Sequence, residues 1–180
     1  MGAEDLRPAY LRGPRVHLRS MVADDKERAA AWLDAPFLAN AAAAEKTLKD
    51  EHGAGSDTRS RRRLAIVRTE DGEVAGSVQV VSHDGHRTCW LDFEMAPWPP
   101  DADAVRAEAL RLLVHWLRDE TELMVVTVEV GADEPETIAS AEAVGMVRSA
   151  RLREWFGRPG GRADCLVYQA LNPRWEVRDA

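Results

Sequence analysis

The feature that most constrains this chain lies between Arg87 and Trp116, where RTCWLDFEM, APWPPDADA and VRAEALRLLVHW follow one another. The first piece is rich in apolar and aromatic residues, has no breaker inside it, and reads as a strand. The second carries Pro97, Pro99 and Pro100 and cannot continue that strand, and the third repeats apolar residues at helical spacing. A strand that feeds a helix through a short loop directs the unpaired N–H groups of the first helical turn back at the strand end, where they can hold an anion.

The flanks extend this unit into a sheet. After a polar lead over residues 1–13, Val16-His17-Leu18-Arg19 alternates as a half-buried strand does. Asp24 and Asp25 sit at helix-cap positions, and Ala29, Trp32 and Leu33 recur at helical spacing until Ala35-Pro36 stops the run. A second helix is predicted from Leu38 to Glu51 with Gly53 behind it, and GAGSDTRSRRR, from Gly53 to Arg63, reads as a mobile basic loop. Leu64 to Arg68 and Val74 to Val81 are strand-like runs joined through Asp71-Gly72, a strong hairpin signal. His83-Asp84-Gly85-His86 then turns into the Arg87–Met95 strand, completing an antiparallel meander. Its His-x-x-His spacing is weak as a metal pair, with no cysteine or carboxylate cluster close by.

In the central helix Val105, Ala109, Leu112, Leu113 and Trp116 form one face, and Glu108, Arg111, His115 and Arg118 the other. Met124 to Val130 is apolar on both faces and so belongs inside the sheet. Asp133 and Glu136 have capping-box spacing at the head of a helix whose inner residues are Ile138, Ala141 and Val144 and whose stop is Gly145. Arg151 to Phe156 and Asp164 to Leu171 close the chain as a hairpin about GRPGGRA. The predicted order is βααβββαβαββ, an α/β (α+β) fold with a mixed, mostly antiparallel sheet flanked by helices. One domain spans residues 14–175, with a tail over 176–180.

Charge narrows the function. Residues 64–150 carry 6 Lys/Arg against 17 Asp/Glu, a net of −11 in the part that holds the central unit, within a chain at −7 overall. Nucleic-acid binding rests on Lys/Arg contacts to phosphates and is set aside, whereas a cationic amine suits such a surface. No apolar run approaches the ~18 residues of a membrane span, and the amino end MGAEDLRPAYLRG has no hydrophobic segment, so neither a membrane partner nor a secretory signal is expected. Cys89 and Cys165 lie in apolar strand-like runs and are expected as buried thiols in a reducing cytoplasm.

The order of elements, with GPRVHLR, AIVRTEDGEVAGSVQV, AEALRLLVHWLRDE, ETIASAEAVGMVRSARLREWF and CLVYQALNPRW in sequence, resembles the GNAT superfamily of acyl-CoA-dependent N-acetyltransferases. The similarity spans Gly13 to Trp175 and looks most like the ribosomal-protein-alanine acetyltransferase branch. The resemblance implies acetyl-CoA as cofactor and a primary amine on a small molecule or protein N-terminus as substrate; a homodimer is a candidate assembly if acyl-CoA binding has been lost. By position it implies Met95, Ala96, Val105, Arg106, Ala107 and Thr137 as cofactor-binding residues. The family's loop carries Arg/Gln-x-x-Gly-x-Gly/Ala, whose glycines let backbone N–H groups wrap a pyrophosphate. This chain has Pro99-Pro100-Asp101-Ala102-Asp103-Ala104-Val105-Arg106-Ala107, a degenerate loop without glycine and with two carboxylates at the helix start. Glu134 stands where many members have asparagine, Thr137 where they have serine or alanine, and no tyrosine lies between Ile138 and Met146.

Acyl transfer to nitrogen needs a neutral amine and therefore a base. Asp92 and Glu94, two apart and on one face of the strand, are the candidates. His83 and His115 are of the right residue type, and Trp90, Trp98 and Trp155 are candidates to line an acceptor pocket. Arg106 is expected as an exposed charge pairing with Asp103 at i,i+3. Two functions follow: an N-acetyltransferase with an altered loop, or a GNAT-fold protein that has lost acyl-CoA binding and serves as a binding or regulatory module.

Overall fold

The computed structural model describes residues 9–33, 40–53 and 59–174. Its strands are β1 (Ala9–Arg12), β2 (Val16–Ser20), β3 (Arg59–Arg68), β4 (Val74–His83), β5 (Thr88–Met95), β6 (Val125–Gly131), β7 (Val147–Arg158) and β8 (Gly161–Leu171). The α-helices are the single turn α1 (Ala29–Trp32), α2 (Ala41–Gly53), α3 (Ala102–Glu120) and α4 (Pro135–Ala143). All eight strands form one sheet in the order β1-β2-β3-β4-β5-β6-β8-β7, antiparallel throughout except for β5 beside β6. Among the described residues no helix is long and apolar enough to cross a membrane.

The predicted meander and closing hairpin are present, and Gly72 and Gly145 adopt the positive φ that their turns require. Four expectations need correction. The lead contains a strand: β1 pairs with β2, so the order is ββααβββαβαββ. Arg59–Arg63 is not loop but the first half of β3, paired with β4 from Arg59↔His83 onward. Charge does not exclude a strand here, because an arginine on a strand can reach water, as Arg61 and Arg62 do, or a partner, as Arg63 does by donating to the Ser77 hydroxyl at 2.9 Å. The helix predicted from Leu38 begins at Ala41, where Asn40 Oδ1 accepts the Ala43 N–H at 2.9 Å. Finally, Trp116 leaves the buried stripe of α3 and is 42% exposed. The inner face instead runs through Val105, Ala109, Leu110, Leu113, Val114 and Leu117. The expected stop at Ala35-Pro36 lies outside the described residues.

That face of α3 packs on Val16, Leu18, Ile66, Val78, Leu91, Val126, Val128 and Val130. On the other side of the sheet Trp32, fully buried, packs with Met21, Ala44, Leu48, Ala65 and Val67. β3 thus has Ile66 under one layer and Ala65 and Val67 under the other, which fixes its register. Cys89 and Cys165 are fully buried and unpaired, and burial pushes their thiols up to about 12 and about 11. Neither thiol is expected to react with a disulfide reagent at pH 8 in the native protein, while both react once denaturant is added. Rapid native labelling of either would contradict this packing.

The feature that creates a site is the join between the two parallel strands. β5 and β6 pair only from Thr88↔Val125 to Leu91↔Val128. Beyond that, Asp92 to Met95 stay with β4 and Glu129 to Gly131 stay with β8, so the sheet opens as a V. The next pair would set Asp92 against Glu129 on one face, and like charges directly opposite disfavour continued pairing.

Candidate active site

A cavity of about 900 Å³ occupies this opening. Trp90, Asp92 and Glu94 of β5, His83 of β4, Glu129 of β6 and Phe156 of β7 contribute to its walls, with Arg106, Glu134 and Arg158 on the α3 side. Asp92 and Glu94, singled out as base candidates, therefore share the face that lines the cavity. Trp90 borders it, and the Trp155 Nε1–H donates to Glu129 Oε2 at 3.2 Å. Trp98 does not take part and is 62% exposed, and His115 sits on the outer face of α3 beside Asp119.

Arg106 departs most from expectation. It is 9% exposed and turns away from Asp103 into the split. One guanidinium nitrogen donates to Glu134 Oε2, Nη2 donates to the Glu129 carbonyl at 2.7 Å, and the group lies 5.2 Å from the Phe93 ring centroid. Nε is buried with no hydrogen-bond partner. Desolvation pulls the guanidinium below its ordinary pKa, with Glu134 acting in the opposite sense. Glu134 also accepts the Gly131 N–H at 3.1 Å and the Arg158 Nη2–H at 2.8 Å.

Asp103 has a different task from the one read in the sequence. Its carboxylate accepts the Glu136 N–H at 2.9 Å, the Thr137 N–H at 3.0 Å and the Thr137 hydroxyl at 2.6 Å, and so caps α4 from the first turn of α3. Asp133, predicted to be that cap, instead pairs with Arg158 Nε at 2.8 Å, which holds its carboxyl below the usual range. An incoming side chain displaced a local cap, and a rule built on adjacent residues cannot see it.

The remaining residues placed at a cofactor site serve the fold. Val105 is core, Ala107 offers its carbonyl to the Ser140 hydroxyl at 2.7 Å, and Thr137 is fully buried against Asp103. The Ala96 N–H donates to the Ala75 carbonyl at 2.8 Å, and Met95 is half-buried opposite Gly76. Glu129 and Arg158 were missed by sequence reasoning. A single carboxylate within VVTVEVG was a usable signal for the first, but nothing near Arg158 marked the second.

An acyl-CoA needs donors for its phosphates and a path for its thiol arm. Here the loop before α3 has prolines in place of glycines, Asp101 Oδ1 lies buried without a hydrogen-bond partner at the helix start, and Asp103 fills the gap between the two helix N-termini. Arg106 and Glu134 occupy the split itself. In the arrangement described, these residues do not fit acyl-CoA.

No protein-family model matches the chain, and no curated protein matches it. Solved structures do. A protein of Sphaerobacter thermophilus assigned as an acetyltransferase is 49% identical, over 94% of this chain and 99% of its own, with a TM-score of 0.75. The spermidine/spermine N-acetyltransferase of Vibrio cholerae superposes with a TM-score of 0.66 at 16% identity, over 92% of this chain and 98% of its own. A GNAT-family acetyltransferase of Bacillus anthracis gives 0.62 at 13%, over 90% and 98%. At the two lower identities the likeness is one of fold. Acyl transfer, with acyl-CoA as donor, is the general chemistry these relatives carry, and they do not single out the ribosomal-protein-alanine branch.

Proposed function

This chain belongs to the GNAT superfamily of acetyltransferases, and from that premise we propose that its acyl acceptor is a small primary amine, drawn as a cation into the cavity between β5 and β6. The observation that carries this reading is the convergence of Asp92, Glu94 and Glu129 on one cavity, with the Trp90 ring at its edge. Carboxylates attract an ammonium through the low-dielectric walls of a cleft, and an indole face adds a cation–π contact. The volume, about 900 Å³, suits a small molecule.

For the amine to become a nucleophile it must give up a proton, and Asp92, where the strands part, is the group we assign to receive it. Glu129 is held by the Trp155 N–H and serves to position the amine. The two unpaired thiols accord with a reducing compartment.

The test is calorimetric titration of a series of primary mono-, di- and polyamines. At least one is expected to bind, and Asp92→Asn/Glu129→Gln is expected to weaken it at least tenfold, about 1.4 kcal/mol. Equal binding by the variant would remove the carboxylates from the site. A second reading, in which the protein binds amines without acylating them, draws on one specific observation, the occupation of the split by Arg106 and Glu134.

A further inference from the structure

Where β5 and β6 part, the edge of β6 should present unpaired backbone groups, as any strand does once its neighbour leaves. Two such groups are already taken. The Glu129 carbonyl accepts from Arg106 Nη2, and the Gly131 N–H donates to Glu134 Oε2. The same two side chains bond to each other, so the guanidinium and carboxylate together do what a neighbouring strand would do. The staple is braced from both sides. Phe93 of β5 lies against the guanidinium, and Arg158 reaches Glu134 from β7. Next to the staple, on the side of Gly131, the packing is close: a Cβ added there would meet Asp133 Oδ1 at 2.4 Å and Arg158 Nη2 at 2.5 Å.

An extended arm carrying amides, such as the pantetheine of CoA, would dock on a strand edge by bonding these same backbone groups. We propose that Arg106 and Glu134 form an internal staple that occupies the acyl-donor path and keeps acyl-CoA out of the free protein. The arginine depends on its partner. Without Glu134 the arginine would be a buried cation stripped of its ion-pair partner, whereas Glu134 without Arg106 keeps Arg158 and the Gly131 N–H. The inference concerns the donor side: the acyl transfer proposed above requires this staple to open, whereas amine binding at Asp92 and Glu129 does not.

The experiment is saturation-transfer NMR of CoA with the full chain, comparing the unaltered protein with Arg106→Ala/Glu134→Gln and checking the fold of each by thermal unfolding. The unaltered protein is expected to transfer no saturation to the pantetheine protons. The double variant is expected to transfer it and to bind CoA at least tenfold more tightly. Pantetheine signals of equal strength in both proteins would overturn the proposal, as would a folded double variant that binds no better. Should the variant not fold, the Arg106 Nε–H resonance of the unaltered protein decides: unmoved by added CoA, it supports the staple; shifted, it refutes it. Amine binding measured on the same samples fails or succeeds separately, because it reads Asp92 and Glu129.

Discussion

Replacing Glu134 by alanine is expected to lower the free energy of unfolding by about 3–5 kcal/mol, the range for breaking a buried ion pair from one side. Arg106 would be left in the split without its ion-pair partner and with its Nε already lacking a hydrogen bond, and the Gly131 N–H would lose its acceptor. Arg158 keeps Asp133 and contributes little to the loss. Urea denaturation gives the number. The control is Arg106→Met/Glu134→Gln, which removes both charges, keeps most of the volume, and is expected to recover most of the stability. A loss under about 1 kcal/mol for Glu134→Ala would mean that the arginine escapes to water at little cost and that the staple is weak.

The second large effect lies at the other end of the fold. Asp25→Ala is expected to cost about 3–5 kcal/mol, again by removing one partner of a buried pair. Arg19 and Asp25 are 4% and 3% exposed and meet through two bonds of 2.8 Å each. The carboxylate also accepts the Val22 N–H at 2.8 Å, and the Asp25 carbonyl accepts the Trp32 Nε1–H at 2.8 Å. This pair therefore fixes the turn that presents Trp32 to the sheet, and its loss should loosen the cluster around that ring. Asp25→Asn, which keeps the shape and loses the charge, should fall between. The midpoint of denaturation, followed by tryptophan fluorescence, reads both variants. An Asp25→Ala protein as stable as the parent would show that the turn is held by its backbone alone.

The elements legible in the sequence were those whose pattern is local. The hairpin at Asp71-Gly72, the helix stop at Gly145 and the interior position of Val125–Gly131 in the sheet each follow from a few adjacent residues, although the Glu129 side of that strand faces the cavity rather than a second apolar layer. β1 was not legible, since four residues inside a polar lead give too short an alternation, and its pairing with β2 is a tertiary fact. The strand half of RSRRR was hidden by its charge. At the site, Asp92 and Glu94 could be placed on one face by the period of a strand, and that face lines the cavity. The roles of Asp103 and Arg106 could not be read, because their partners lie 23 to 34 residues away on other elements. Local rules assigned each charge to its nearest neighbour, whereas the fold assigned Asp103 to the first turn of α4 and Arg106 to Glu134 and the Glu129 carbonyl of β6.

The deciding observation is a crystal structure of the unaltered protein grown in excess CoA with no amine present. Arg106 is expected in contact with Glu134 and the Glu129 carbonyl, with no pantetheine between β5 and β6. A pantetheine arm bonded to the Glu129 carbonyl and the Gly131 N–H, with Arg106 swung out, would contradict it.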